Sequence, residues 1–155
     1  MKRISLALAL AGTSAFLVAV FLTVTDIILR SFSGMTVYGL TDIVTLCTMI
    51  GAMLAIPRGF AAEEHVAVDV FTARMPLRAQ NVCALVAALL ALIFLAAVAW
   101  FGCQQMMREY AYGDRSQSIG IPMIFYWLPL VTGMAVAALA NLWLVVRYAR
   151  AVFGE

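Results

Sequence analysis

Charged residues are scarce in this chain, and their scarcity decides its class. Of 155 residues, 12% are charged and 65% are hydrophobic, and the mean hydropathy is +1.02. Soluble domains are about one quarter charged, so the composition excludes an ordinary soluble protein and indicates an integral membrane protein. The net charge of +2 is too small to suggest nucleic acid as a partner.

The residue types that form redox and metal sites are also few. The three cysteines, Cys47, Cys83 and Cys103, have neither metal-ligand nor redox spacing. Buried or interfacial packing is their expected role, because a free cysteine behaves as a small hydrophobe. His65 is the only histidine. The sequence therefore predicts no enzyme, and no cofactor or metal in this chain.

Four apolar runs are long enough to cross a membrane, and they cover about residues 4–29, 40–57, 80–103 and 122–146. We expect a single all-α domain of four transmembrane helices over residues 1–155. The N-terminus also resembles a cleavable signal peptide, whose apolar core is about 7–15 residues long. The first run is longer than that, so an uncleaved first span is the preferred interpretation.

Three charged residues gather where the first run ends and the second begins. Asp26 and Arg30 are four residues apart, so they share a helix face in the favourable acid-before-base order. Asp42 opens the second run at the same membrane surface. Because isolated charges in hydrocarbon are costly, we expect all three to pair in one cluster. That cluster would clamp two helices, or else contact a partner.

Small residues recur at helical spacing in the first, second and fourth runs. Gly51, Ala55 and Gly59 are four residues apart, the spacing that lets helix backbones meet in lipid. The second run stops at Pro57, which lacks a backbone N–H and tends to bend a helix. In the fourth run the series Gly133, Ala137 and Asn141 predicts another tight packing face.

The segment at about 63–76 has two interpretations. Its valines alternate with other residues as in a strand, whereas on a helix His65 and Asp69 share one narrow polar face. An unpaired strand cannot satisfy its backbone at a membrane surface. A short amphipathic helix lying in the interface is therefore the preferred interpretation.

The basic residues predict the orientation. With the N-terminus inside, seven lie on the cytoplasmic side: Lys2, Arg3, Arg58, Arg74, Arg78, Arg147 and Arg150. Three lie on the outer side: Arg30, Arg108 and Arg115. This excess places both termini in the cytoplasm. The polar stretch at 104–120 is then outside, as an ordered loop or as a continuation of the third helix.

None of the four runs carries a charge near its centre. Transporters usually have an ionisable residue near the midplane, or broken helices around a binding site, so an accessory subunit is favoured. A self-contained exporter working as a four-helix homodimer is one alternative, but Asp26 lies too near the edge of its span. A membrane redox protein is another, but only Cys103 lies near the outer loops.

A series of residues from about 26 to 138 has a characteristic order: Arg30, Asp42, Gly51-Ala52, Arg58, His65-Val66-x-Val68-Asp69, Pro76 and Gly120-Ile121-Pro122. This series resembles the small, DctQ-like membrane subunit of tripartite ATP-independent periplasmic (TRAP) transporters. The His65 segment is its most specific part. The chain departs from the family pattern at Asp42, where Glu is more common, and in lacking a tryptophan before Gly51.

The resemblance implies a function that composition does not. In this family a large membrane subunit binds substrate and sodium and moves like an elevator, and a periplasmic binding protein delivers a substrate that usually bears a carboxylate. The small subunit packs beside the large one in the bacterial inner membrane, as part of a symport complex. The resemblance implies that Arg30, Asp42 and residues 104–120 face the binding protein's side, and that Gly51, Ala55 and the third and fourth spans pack against the large subunit.

Overall fold

The computed structural model describes residues 2–62 and 76–153. They form four helices: α1 at Lys2–Ser33, α2 at Leu40–Ala62, α3 at Leu77–Tyr112 and α4 at Ile124–Phe153. All four are long and apolar enough to cross a membrane, which confirms the predicted class. The predicted interfacial helix, with His65 and Asp69, lies outside the described residues.

The helices pack in the order α1, α2, α4, α3. The main contacts join α1 to α2, α2 to α4, and α4 to α3. In the apolar stretch of α4, 44% of the residues are buried, compared with 11% in α1 and in α3. The outer helices α1 and α3 therefore present most of their apolar surface outward, as expected where lipid is the solvent.

The two ordered connections between helices lie at the same end of the bundle. The Tyr38 hydroxyl, between α1 and α2, donates a 2.8 Å hydrogen bond to the carbonyl of Ser118, between α3 and α4. Gly39 has a φ of 73°, and a Cβ there would collide with the Ile119 side chain. We call this end the connection end. The first and last helices place the described termini at the opposite end.

The backbones of α1 and α2 come into direct contact. A Cβ on Gly12 would lie 2.8 Å from the carbonyl oxygen of Gly51 and 3.6 Å from the nitrogen of Ala55, and a Cβ on Gly51 would lie 2.6 Å from the Phe16 ring. Gly51, which was expected to meet the large subunit, is therefore covered by α1 of its own chain. The predicted small-residue face is present on α2, and it packs against α1 of the same chain.

The core lies where α2, α3 and α4 meet. Leu95, Met134 and Ala137 are buried there. Asn141 is 1% exposed, and its amide donates a 2.9 Å hydrogen bond to the Ala88 carbonyl on α3. Gly133, Ala137 and Asn141 are all buried, so the predicted packing face of the fourth helix is confirmed.

All four helices extend beyond the ends of their predicted spans, and two of these extensions change the interpretation. α2 continues through Pro57 to Ala62, and Pro57 is fully buried. Membrane helices tolerate proline because neighbouring groups compensate for the lost hydrogen bond. α3 continues to Tyr112, where Gly113 ends it with a left-handed φ of 71°. The polar stretch at 104–120 is thus a helix in its first half and an ordered connection in its second.

The contact between α2 and α4 depends on Gly133. A Cβ at this position would collide with the backbone carbonyl of Met53. We expect Gly133→Val to force the helices apart and to destabilise the bundle by about 1–3 kcal/mol. A lower melting temperature in detergent would show this effect.

Ala135→Val provides the matched control, because Ala135 is exposed on the same helix two residues away. Equal melting temperatures for the two variants would contradict the close contact.

Candidate functional site

The carboxylate of Asp42 holds the α3–α4 connection against α2. Asp42 lies in the first turn of α2 and is 7% exposed. Its Oδ2 accepts hydrogen bonds from the Ser116 hydroxyl at 2.6 Å and from the backbone N–H groups of Ser118 and Ile119 at 3.0 and 2.8 Å. A carboxylate that accepts backbone N–H groups makes charge-assisted bonds, which are stronger than neutral ones.

A second set of hydrogen bonds supports this anchor. The Ser116 hydroxyl also accepts from the N–H of Ile121 at 2.8 Å, and the Tyr126 hydroxyl donates to the backbone carbonyl of Asp42 at 3.0 Å. Backbone pairing between Ser116 and Ile121, at 2.8 Å, closes the connection. Pro122 follows, exposed and just before α4. The connection is therefore a folded element with a fixed position.

The α1–α2 connection has its own anchor. Asp26 Oδ2 pairs with Arg30 at 3.0 Å, and its side chain is 5% exposed whereas that of Arg30 is 65% exposed. Asp26 Oδ1 accepts the backbone N–H of Val37 at 2.7 Å. The buried acid thus holds the chain that leaves α1, and Arg30 supplies its counter-charge from the surface.

The expected single cluster of three charges is replaced by two separate anchors. The Asp26–Arg30 pair, predicted from its spacing, is present, and it is the one ion pair among residues 2–62 and 76–153. Asp42 is instead satisfied by the hydroxyl and N–H groups of the α3–α4 connection. These donors therefore pair with Asp42 in place of Arg30, which was expected to do so.

A third polar contact joins α3 to α4, and the sequence did not reveal it. The Trp127 indole N–H donates to Glu109 Oε2 at 2.6 Å, and the Gln105 amide donates to Glu109 Oε1 at 3.0 Å. The spacing of Gln105 and Glu109 fits a helix pair, but nothing in it points to Trp127. Arg58 lies in α2, half-buried, near the opposite end.

The polar groups of this end hold the fold together. No buried side-chain nitrogen or oxygen in the described ranges lacks a hydrogen-bond partner. Nor do the described cysteines and acids form any group of three that could hold a metal. The polar groups of this end are thus used to support the two connections.

These features define a helical membrane protein whose polar residues fix its own connections. The family model described as "Tripartite ATP-independent periplasmic transporters, DctQ component" matches residues 4–152. The chain therefore belongs to this family, the small membrane component of TRAP transporters, and the resemblance found in the sequence is confirmed. The family is a transporter component and not a family of enzymes. Comparisons with curated proteins and with solved structures gave no match.

Removing the Asp42 carboxylate should release the α3–α4 connection. We expect Asp42→Ala to speed amide hydrogen exchange at Ser118 and Ile119 about thirtyfold, because losing charge-assisted hydrogen bonds costs about 2 kcal/mol. Hydrogen–deuterium exchange with mass spectrometry would measure it.

Two variants serve as controls for this experiment. Asp114→Asn removes a charge from the same connection, but Asp114 is exposed, so exchange at Ser118 and Ile119 should stay at the wild-type rate. Arg30→Ala should also leave it unchanged, since Arg30 pairs with Asp26. Faster exchange in the Arg30 variant would contradict two separate anchors.

Proposed function

We propose that this chain braces the large, elevator-type subunit of a sodium-coupled TRAP transporter in the bacterial inner membrane. Membership of the DctQ component family is the observation that carries the proposal. The large subunit would bind sodium and a carboxylate-bearing solute and would import both together. A brace has to keep its shape while a neighbour moves, and the structural features of this chain suit that requirement.

The first supporting feature is the outward apolar surface of the outer helices. Large side chains such as Leu17 and Phe21 on α1, and Leu90 and Ile93 on α3, are each more than 60% exposed. They cannot face water in a stable protein, so lipid or a partner subunit must cover them. Since Gly51 is used within the chain, the exposed sides of α1 and α3 are better candidates for meeting the large subunit.

The second supporting feature is the fixed connection end, which we propose faces the periplasmic binding protein. It has an open cleft of about 660 Å³ whose lining includes Asp42, Glu109 and Arg115. Arg30 and Tyr38 are exposed nearby. A surface held by internal hydrogen bonds loses little entropy on docking, and such preorganisation favours binding.

The assembly can be tested by purification and reconstitution. We expect a tagged copy of this chain to co-purify with a larger multi-span membrane protein. Liposomes that contain both chains should take up solute when sodium and the binding protein are supplied, because the large subunit holds the transport site.

Liposomes that contain this chain alone are the control, and their uptake should equal that of empty liposomes. Solute flux through this chain alone would overturn the proposal and would favour the self-contained exporter.

Both termini are proposed to lie in the cytoplasm, because seven of the ten basic residues are then on that side. Alkaline phosphatase, which is active only in the periplasm, should therefore be inactive when fused after Phe153. The same enzyme should be active when fused after Gly113, in the α3–α4 connection. The reverse pattern would contradict the orientation and the docking surface together.

A further inference from the structure

A groove runs along α3 and α4 toward the connection end. Its apolar walls include Phe94, Val98 and Phe101 on α3 and Leu130 on α4, and its volume is about 440 Å³. Gly102 is part of the lining, and it lets α4 pack closely beside the groove, because a Cβ there would lie 2.8 Å from Leu130 Cδ2. We call this feature the α3–α4 groove. Its volume is within the range of about 300–1,000 Å³ that is common for ligand sites.

The lining of the groove changes from apolar to polar along its length. Gln105 and Arg108 follow the apolar part on α3. At a rise of about 1.5 Å per residue, they lie about 3 and 8 Å beyond residue 103, where the predicted third span ends. Because the polar layer of a bilayer adds about 5–8 Å to each side of its hydrocarbon core, both residues are at the depth of the lipid headgroups.

Arg108 carries the charge at this polar end, and no acid among residues 2–62 and 76–153 forms an ion pair with it. Arg108 is exposed, and the one ion pair of the described residues lies elsewhere, between Asp26 and Arg30. The neighbouring Glu109 carboxylate instead accepts hydrogen bonds from Trp127 and Gln105. A free guanidinium at headgroup depth fits a phosphate, which it can bind through two parallel hydrogen bonds.

We propose that the α3–α4 groove binds a membrane phospholipid, with one acyl chain along Phe94, Val98 and Phe101 and the phosphate at Arg108. The order of residues along the groove supports this assignment. The apolar wall would contact the acyl chain, the Gln105 amide would lie beside the ester, and Arg108 would bind the phosphate, which is the order of these groups in a phospholipid. Basic sites between transmembrane helices commonly hold lipid headgroups in this way. The bound lipid covers the apolar walls of the groove between α3 and α4.

The full-length chain, purified in mild detergent with any membrane protein that accompanies it, would be titrated with phosphatidylglycerol and examined by native mass spectrometry. Wild type should bind one lipid saturably at this site. Arg108→Gln should weaken that binding about tenfold, because it loses a charge-assisted contact with the phosphate. Diacylglycerol, which has no phosphate, should bind wild type and Arg108→Gln alike.

Arg150→Gln is the matched control, since Arg150 is an exposed arginine at the opposite end, and it should bind phosphatidylglycerol as wild type does. Gly102→Leu should abolish binding by filling the groove. If that variant does not fold, Ala97→Leu fills it from another lining position. Equal lipid affinity in wild type and Arg108→Gln, or in wild type and the filled variant, would overturn the proposal.

A helix of another subunit is the competing occupant, and a crosslink distinguishes it. A photoreactive amino acid at Ala97, irradiated in intact membranes, should give a phospholipid adduct. An adduct with a polypeptide would show that a protein segment fills the groove, and the proposal would fail.

Discussion

A carboxylate buried at the end of a membrane helix requires donors from its own protein, and the connection end is built around that requirement. Asp42 receives a hydroxyl and two backbone N–H groups from a segment more than 70 residues further along the chain. This contact joins the first helical pair to the second. Without it, the two pairs would still meet through α2 and α4, but the α3–α4 connection would lose its attachment to α2.

Close backbone contact is the second constraint. Within lipid there is little hydrophobic drive to bring helices together, so association depends on packing and hydrogen bonds. Gly12 and Gly51 let α1 approach α2, and Gly133 lets α4 approach the opposite side of α2 near Met53. These glycines thus lie in contacts between helices of the same chain. Its larger apolar side chains remain outside on α1 and α3 for lipid or for a neighbouring subunit.

Composition and the length of the apolar runs were enough to predict four membrane helices, because a chain with so few charged residues cannot form an ordinary soluble domain. The Asp26–Arg30 pair was also predictable, since an i, i+4 spacing is local. The partners of Asp42, Gly51 and Trp127 were not predictable, because each lies on another helix or connection and no short spacing encodes it. The predicted end of the second helix at Pro57 was wrong for a related reason. Whether a membrane helix tolerates a proline depends on the neighbouring groups, and these are not visible in the local sequence. The family, in contrast, was recognisable from motifs spread along the chain.

The length of α3 affects how a soluble protein would approach this membrane. With 36 residues, the helix is about 54 Å long, whereas the hydrocarbon core is about 30 Å thick. Tyr112, eleven residues past Phe101, stands about 16 Å further along the axis and therefore clears the layer of headgroups. The turn at Gly113, which follows α3, therefore lies above the bilayer surface. A visiting protein would touch this raised turn before it reached any lipid, and so would be held off the membrane at a set height.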